Sequence, residues 1–255
     1  MSLYQRLQKH AEFQPDKTAI ESEAGKLTYS QLHVLTDQCV RYFKSVGLEP
    51  GDRVAILALN HPDWFIAVFA AAQCGVVLVP LNWRLSIDEL GYMIGDSSAK
   101  LLLHDQEFEE TATALKSTSG NLSLCRFGSS EFPSEPAGDQ ESLNHNNSDV
   151  NDPLLIVYTS SATGRPKGAV LNQTALLCSA EMSRHMTDLT VNDHVLNVLP
   201  LFHVGGLNIQ PLPALLFGAT LVLQARFIPD DAVTALSEKQ ITLINSVPTL
   251  SLIHI

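Results

Sequence analysis

Two kinds of apolar pattern alternate along the chain. Between residues 30 and 45, Leu32, Leu35, Val40 and Phe43 recur near one face of a helix, and Gly47 supplies a C-terminal stop. A turn at Pro50, Gly51 and Asp52 leads into the run VAILAL, 54–59, which reads as a strand. The next stretch, WFIAVFAAAQCGVVLVPL at 64–81, is 18 residues long and reaches the lower limit for a membrane span. Gln73 and Gly75 interrupt it, and there the pattern changes from an alanine-rich helix to the β-branched run Val76, Val77, Leu78 and Val79, closed by Pro80. It is therefore read as a helix followed by a strand, not as an integral membrane segment. Ser86 followed by Glu89 is a capping-box signature for a short helix, and KLLLH, 100–104, and LLIVYT, 154–159, read as further strands. Helices alternating with buried strands predict an α/β fold, with parallel sheets flanked by helices.

The pattern lapses between Gly128 and Asp152, where only Phe132, Ala137, Leu143 and Val150 are apolar. The expected organisation is an N-terminal α/β region at 1–127, a polar linker or long loop at 128–152, and a second α/β region at 153–255. No repeat at solenoid spacing stands out. At 255 residues the chain can bury roughly 70 to 75% of its unfolded surface, which is room for a substantial core. A net charge of −11 argues against nucleic acid as a partner, because that footprint is basic.

Cys39, Cys74, Cys125 and Cys178 form no C-x-x-C pair, so neither a disulfide framework nor a zinc cluster is suggested, and buried free thiols are expected. His61, His104 and His145 share no ligand spacing, and no residue is assigned to a metal. The opening MSLYQRLQKHAEF has no signal-peptide core, so a cytoplasmic location is expected. Trp64 and Trp83 are read as packed against a helix and in a loop rather than as pocket walls, and Asp52 with Arg53 as a turn or surface pair.

The stretch YTSSATGRPKGAV, 158–170, carries the most chemistry. Backbone N–H groups of a glycine-containing turn can converge on an anion, the hydroxyls of Thr159, Ser160, Ser161 and Thr163 add donors, and Lys167 adds a positive charge. Gly164 and Gly168 open backbone geometries closed to other residues, and Pro166 restricts the segment between them. The stretch contains neither a Walker-type G-x-x-x-x-G-K-[ST] nor a dinucleotide fingerprint. On the residues alone it is either a phosphate grip or a surface turn with incidental serines. His203, in LPLFHVGGL, is likewise either a satisfied core histidine or a ligand contact.

YTSSATGRPKGAV resembles the signature loop Y-T-S-G-T-T-G-x-P-K-G-V of the adenylate-forming enzymes, a superfamily that includes acid-CoA ligases, peptide-synthetase adenylation domains and beetle luciferases. LTYSQL at 27–32, GLEPGDRVAIL at 47–57, AAAQCGVVLVPLNWRLSIDEL at 70–90, LPLFHVGGL at 199–207 and VPTL at 247–250 resemble family segments in the same order. The resemblance spans nearly the whole chain and is nearest to the acid-CoA ligases. It implies the N-terminal part of the large domain of those enzymes, with a carboxylic acid, ATP and CoA as substrates and Mg²⁺ as cofactor. In the family the loop closes on the β and γ phosphates while the acid's carboxylate attacks the α-phosphorus. That implies catalytic roles for Lys167 and Thr163 and nucleotide contacts from Thr159, Ser160, Ser161, Ala162, Gly164 and Gly168.

Ser161 stands in place of the family glycine, Ala162 in place of a threonine, and Gln173 where many relatives carry histidine. The resemblance also places His203 beside the substrate carboxylate, with Phe202, Val204, Gly205, Gly206 and Leu207 shaping that edge of the acyl or aryl pocket. Positioning is its implied role, since a carboxylate is already ionised near pH 7. Relatives continue beyond VPTLSLIHI into a Y-G-x-T-E segment, a ribose-binding aspartate and a mobile C-terminal domain with a catalytic lysine. On the resemblance the chain is a first half that lacks that domain and is inactive alone. The alternatives are a nonribosomal-peptide adenylation domain and a noncatalytic nucleotide-binding remnant. The phosphate loop and His203 are expected to share one mouth.

Overall fold

A computed structural model describes residues 1–133, 148–159 and 164–246. Helix α1 (Leu3–Phe13) is closed by a capping box in which Ser2 accepts from the Gln5 N–H and the Gln5 side chain bonds back to Ser2. A hairpin follows, β1 (Thr18–Ser22) and β2 (Gly25–Thr28), and Thr28 with Gln31 forms a second capping box on α2 (Tyr29–Ser45). Then come β3 (Arg53–Leu57), α3 (Asp63–Cys74), β4 (Val77–Pro80), α4 (Ile87–Ser97), β5 (Leu101–His104), α5 (Glu109–Thr118) and β6 (Ser123–Arg126). Ser86 and Glu89 make the capping box read from the sequence at the start of α4. The second half contains β7 (Pro153–Thr159), β8 (Lys167–Asn172), α6 (Gln173–Thr187), β9 (His194–Asn197), α7 (Val204–Asn208), α8 (Pro211–Leu216), β10 (Thr220–Leu223), α9 (Pro229–Glu238) and β11 (Leu243–Asn245).

The strands form a 5-stranded sheet, β11-β9-β10-β1-β2, and a 6-stranded sheet, β6-β5-β3-β4-β7-β8. Neither is wholly parallel. β2 runs antiparallel to β1 and β8 antiparallel to β7, because their short connections permit no crossover. β1 pairs in parallel with β10, Ile20 opposite Leu221, so the first sheet draws strands from both halves of the chain.

Along β3, Val54 and Ile56 face one core cluster, and Ala55 and Leu57 the other. A strand covered on both faces must be apolar throughout, which is why VAILAL shows no alternation. The larger cluster is centred on α3, whose Trp64, Phe65 and Phe69 are fully buried between α1, α2 and the sheets. The polar 128–152 segment is packed at its described ends. Phe132 meets Phe127 edge-on at 5.0 Å, and Ser148 donates to the Ala72 carbonyl and accepts from the Gln173 side chain at 3.0 Å. Gln173 also donates to the Ala72 carbonyl at 2.9 Å and accepts from the Leu3 N–H at 3.3 Å, so the residue at the family's histidine position ties α6 to α1 and α3. Cys39 and Cys125 are buried free thiols and Cys74 is half-buried. Cys178 departs from the expectation and is exposed, since it lies on the outer face of α6.

His10 on α1 is held as a neutral imidazole. The Leu216 carbonyl can only accept, so Nε2–H donates to it at 3.0 Å and Nδ1 accepts from the Gln14 amide at 3.2 Å. Burial pushes the imidazole pKa down and the charges of Lys17 and Arg6 act the same way, against the raising effect of the Leu216 hydrogen bond. A pKa depressed in the folded state gives stability that is present above the unfolded value, about 6.5, and is lost as pH falls toward the folded one. The melting temperature is expected to fall between about pH 7 and pH 5, less steeply in His10→Gln. Equal slopes in the two proteins would remove His10 as the cause.

Candidate active site

In the 6-stranded sheet β3, β4, β5 and β7 are parallel, and in the other β9 and β10 are parallel, so each sheet gathers its carboxyl-terminal strand ends at one edge. Ligands of α/β sheets bind beyond such edges. Asn60 after β3, Trp83 and Arg84 after β4, residues 198–206 after β9 and residues 225–227 after β10 bring the two edges together around a cavity of about 680 Å³. A larger cavity, about 930 Å³, lies at the opposite edge beside the start of β3, β5 and β6. The guanidinium of Arg53, one of its lining groups, is committed to the carbonyls of Ser97, Gly51 and Ser98.

His203 stands at the N-cap of α7, with its side chain exposed on the 680 Å³ cavity. Its N–H donates to the Pro200 carbonyl at 3.2 Å, and its own carbonyl accepts from Gly206 at 3.0 Å and Leu207 at 2.9 Å. Gly205 and Gly206 also line the cavity. Phe202 is buried behind it and meets the Trp83 ring edge-on at 6.0 Å, Leu207 is core, and Val204 is 40% exposed without lining the cavity. Trp83, read from the sequence as loop packing, stacks on Phe108 at 6.1 Å and forms a cavity wall as well.

Thr159 ends β7 and Lys167 opens β8 directly opposite it, so the two strands are antiparallel neighbours whose paired ends flank the hydroxyl-rich stretch. Ser160, Ser161, Ala162 and Thr163 lie outside the described residues. Gly164 has φ 102°, a conformation that favours glycine. A Cβ at Gly168 would lie 2.6 Å from the Ile156 side chain. The hairpin is fastened to α4. Tyr158 donates to the Asp96 carboxylate at 2.6 Å, Tyr92 donates to the Pro166 carbonyl at 3.4 Å, and the Arg165 guanidinium sits 5.4 Å from the Tyr92 ring centre. Burial, followed by the bond to Asp96, pushes the Tyr158 phenol up, which keeps it a neutral donor. Lys167 is exposed. β4 and β7 are parallel neighbours, so Thr159 and the wall residues Trp83 and Arg84 emerge from the same sheet edge; Lys167 does not line the 680 Å³ cavity itself.

Sequence reasoning missed Asn60, Arg84, Arg226 and Phe227, all of which line the cavity. Their only shared signal is a polar or aromatic residue just beyond a strand. Asp52 bonds Lys100 at 2.7 Å and caps the turn at Glu49. Among the described residues no group of three or more His, Cys, Asp or Glu side chains could hold a metal ion, and no helix is long and apolar enough to cross a membrane. His61 accepts from the Asp63 N–H and His104 donates to the Asp105 carbonyl; His145 lies outside the described residues.

The chain is 35% identical over 247 residues to the feruloyl-CoA synthase of an Amycolatopsis species, covering 95% of this chain and 48% of that protein. It is also 35% identical over 257 residues to the indoleacetate–CoA ligase of Aromatoleum aromaticum, covering 97% and 50%. It thus spans about half the length of the curated relatives it matches. Among solved structures, the o-succinylbenzoate CoA synthetase of Bacillus subtilis, in complex with its acyl-adenylate intermediate, superposes with a TM-score of 0.85 at 26% identity, over 98% of this chain and 63% of that one. With two α/β sheets, a glycine-rich hairpin at one sheet edge and a match to the AMP-binding enzyme model across residues 7–252, the chain belongs to the AMP-binding enzyme family.

Proposed function

We propose that the chain supplies the nucleotide- and acid-binding part of an ATP-dependent acid-CoA ligase acting on aryl or arylalkyl carboxylic acids. The observation that carries this reading is the cavity between the two sheet edges, with His203 on one side and an aromatic wall at Trp83 and Phe227. The named activities of the relatives on ferulate, indoleacetate and 2-succinylbenzoate agree with such a wall. A cytoplasmic location, where ATP and CoA are at hand, goes with this reading.

In the proposed first step a carboxylate oxygen bonds to the α-phosphorus of ATP, the α–β phosphoanhydride bond breaks, and pyrophosphate leaves. In the second, the CoA sulfur bonds to the acyl carbon, AMP leaves, and the thiol proton passes to solvent. Charge develops on the leaving phosphates, so donors fixed before the reaction are effective there. Lys167, at the start of β8, and the backbone around Gly164 are assigned to that task, together with Thr159 and the hydroxyl groups of residues 160–163. His203 orients the carboxylate. Mg²⁺ would accompany the nucleotide and offset phosphate charge; no residue of this chain is assigned to it.

The test is acid-dependent exchange of labelled pyrophosphate into ATP, with mass spectrometry for acyl-adenylate and acyl-CoA over a panel of aryl and aliphatic acids. The 255-residue chain alone is expected to bind ATP weakly and to complete no ligation. In a longer form of the protein that catalyses exchange, Lys167→Ala should lower the rate about tenfold to a hundredfold, the worth of one charge-assisted hydrogen bond of roughly 1.5–3 kcal/mol in the transition state. Unchanged exchange in a folded variant would remove Lys167 from the role. ATP binding with no exchange in any length of the chain would favour a noncatalytic remnant.

A further inference from the structure

We infer that Asn60 is a positioning residue that locks the His203 turn to the opposite sheet, an inference that rests on the acid-ligase reading of this cavity. Asn60 lies just beyond the end of β3 and is only 7% exposed. Its Nδ2 donates to the Leu199 carbonyl at 3.0 Å and the Gln224 carbonyl at 2.9 Å, and its Oδ1 accepts from the Leu201 N–H at 2.8 Å. Its backbone N–H donates to the Ala225 carbonyl at 3.1 Å. The amide orientation is fixed by these partners: two carbonyls that only accept and one N–H that only donates, so a flip would break all three side-chain bonds.

The grip falls on either side of Pro200, whose carbonyl holds the His203 N–H. Asn60 is itself held, because the neighbouring Leu59 donates to the Asp105 carboxylate at 2.7 Å and accepts from the Trp64 indole at 2.8 Å. Phe202 of the same turn also meets Trp83 of the opposite sheet, edge-on at 6.0 Å, an apolar contact that sets no hydrogen-bond register. Arg226 and Glu107 also bridge the two sheets, at 2.6 Å, but both side chains are about half exposed, where an ion pair contributes little. Asn60 therefore fixes the distance between His203 on one sheet and the Trp83 wall on the other, and so where an acid's carboxylate sits relative to its ring. The side chain demands two donors and one acceptor at this reach. Aspartate would set an oxygen against two carbonyls, and glutamine would be one methylene too long.

The experiment compares the 255-residue chain with Asn60→Ala, Asn60→Asp, His203→Ala and the Asn60→Ala/His203→Ala double variant. Amide hydrogen exchange is followed residue by residue, and ferulate binding by calorimetry. Asn60→Ala should speed exchange at Leu201 and His203 by about tenfold, one buried hydrogen bond's worth, while β3 and β5 keep their protection. Ferulate affinity should fall about tenfold in the parent and remain within about twofold in the His203→Ala background, the signature of coupled residues. Asn60→Asp keeps the acceptor for Leu201 but loses both donors to Leu199 and Gln224, so exchange at His203 and ferulate affinity should follow Asn60→Ala, and these two readouts serve if the alanine variant fails to fold. Unchanged exchange at Leu201 and His203, loss of protection spread evenly over the sheets, or equal loss of affinity in both backgrounds would overturn the proposal. If the parent binds neither ferulate nor any other aryl acid, the ligase reading fails, and the exchange data still decide whether Asn60 holds the turn.

Discussion

Trp64→Ala is expected to lower the stability of the chain by about 3–5 kcal/mol, the usual range for truncating a large buried aromatic. Trp64 has no exposed surface and belongs to the cluster that joins α1, α2, α3 and both sheets, so no neighbouring solvent-facing segment can collapse into the space it leaves. Its indole N–H also donates to the Leu59 carbonyl at 2.8 Å, and losing that donor adds to the cost of the cavity. The check is urea unfolding followed by circular dichroism, with the slope unchanged and the midpoint lowered. Trp64→Phe separates the two contributions, since it keeps most of the ring and removes the donor; a cost of about 1–2 kcal/mol is expected. A Trp64→Ala variant within about 1 kcal/mol of the parent would show that α3 is not the centre of the core.

The elements legible in the sequence were those whose boundaries are set locally. The change from α3 to β4 is written in Gly75, which takes φ 76° at the C-cap, and the start of α4 in Ser86 and Glu89. α1 is not foreseen, although Leu3, Tyr4 and Leu7 form its buried face and Ser2 with Gln5 supplies a capping box, because the charged and polar Arg6, Gln8, Lys9 and Glu12 interrupt those apolar positions along the sequence. Strand pairing was hidden for another reason. Ile20 lies opposite Leu221, and nothing in a 5-residue strand specifies a partner so remote along the chain.

The site divides in the same way. The hairpin at 158–170 and the FHVGG turn stand out as motifs because their chemistry is local, although residues 160–163 fall outside the described structure. Asn60 reads as an ordinary asparagine after a strand. The partners of its side chain are 139, 141 and 164 residues away, and all three are backbone groups, which every residue type carries and which therefore leave no signal in the sequence. Trp83 reads from the sequence as loop packing rather than as a pocket wall, and the fold makes it both, stacked on Phe108, edge-on to Phe202 and lining the cavity.

Gly206→Ala and Gly205→Ala are adjacent substitutions with opposite expected outcomes. Both residues lie in α7, and on helix propensity alone each change would be favourable by up to about 1 kcal/mol. At Gly205 the added methyl would meet only the Ile209 side chain at 3.7 Å, an ordinary contact, so stability should be unchanged or slightly raised. At Gly206 it would lie 2.0 Å from the Pro200 carbonyl oxygen, 2.6 Å from its carbon and 3.1 Å from the Leu199 oxygen. These are backbone atoms, and Asn60 holds the segment on both sides of Pro200, so the turn has little room to give. The clash outweighs propensity, and a net loss of about 1–3 kcal/mol or more is expected, as for overpacking of a close-packed core. Relieving it means moving the Pro200 carbonyl away from α7 and with it the anchor of the His203 N–H, so Gly206→Ala should weaken ferulate binding while Gly205→Ala leaves it close to the parent. Thermal unfolding and calorimetry on the two variants settle the matter: equal stability and equal affinity would mean that the chain does not approach α7 as closely as 2.0 Å implies.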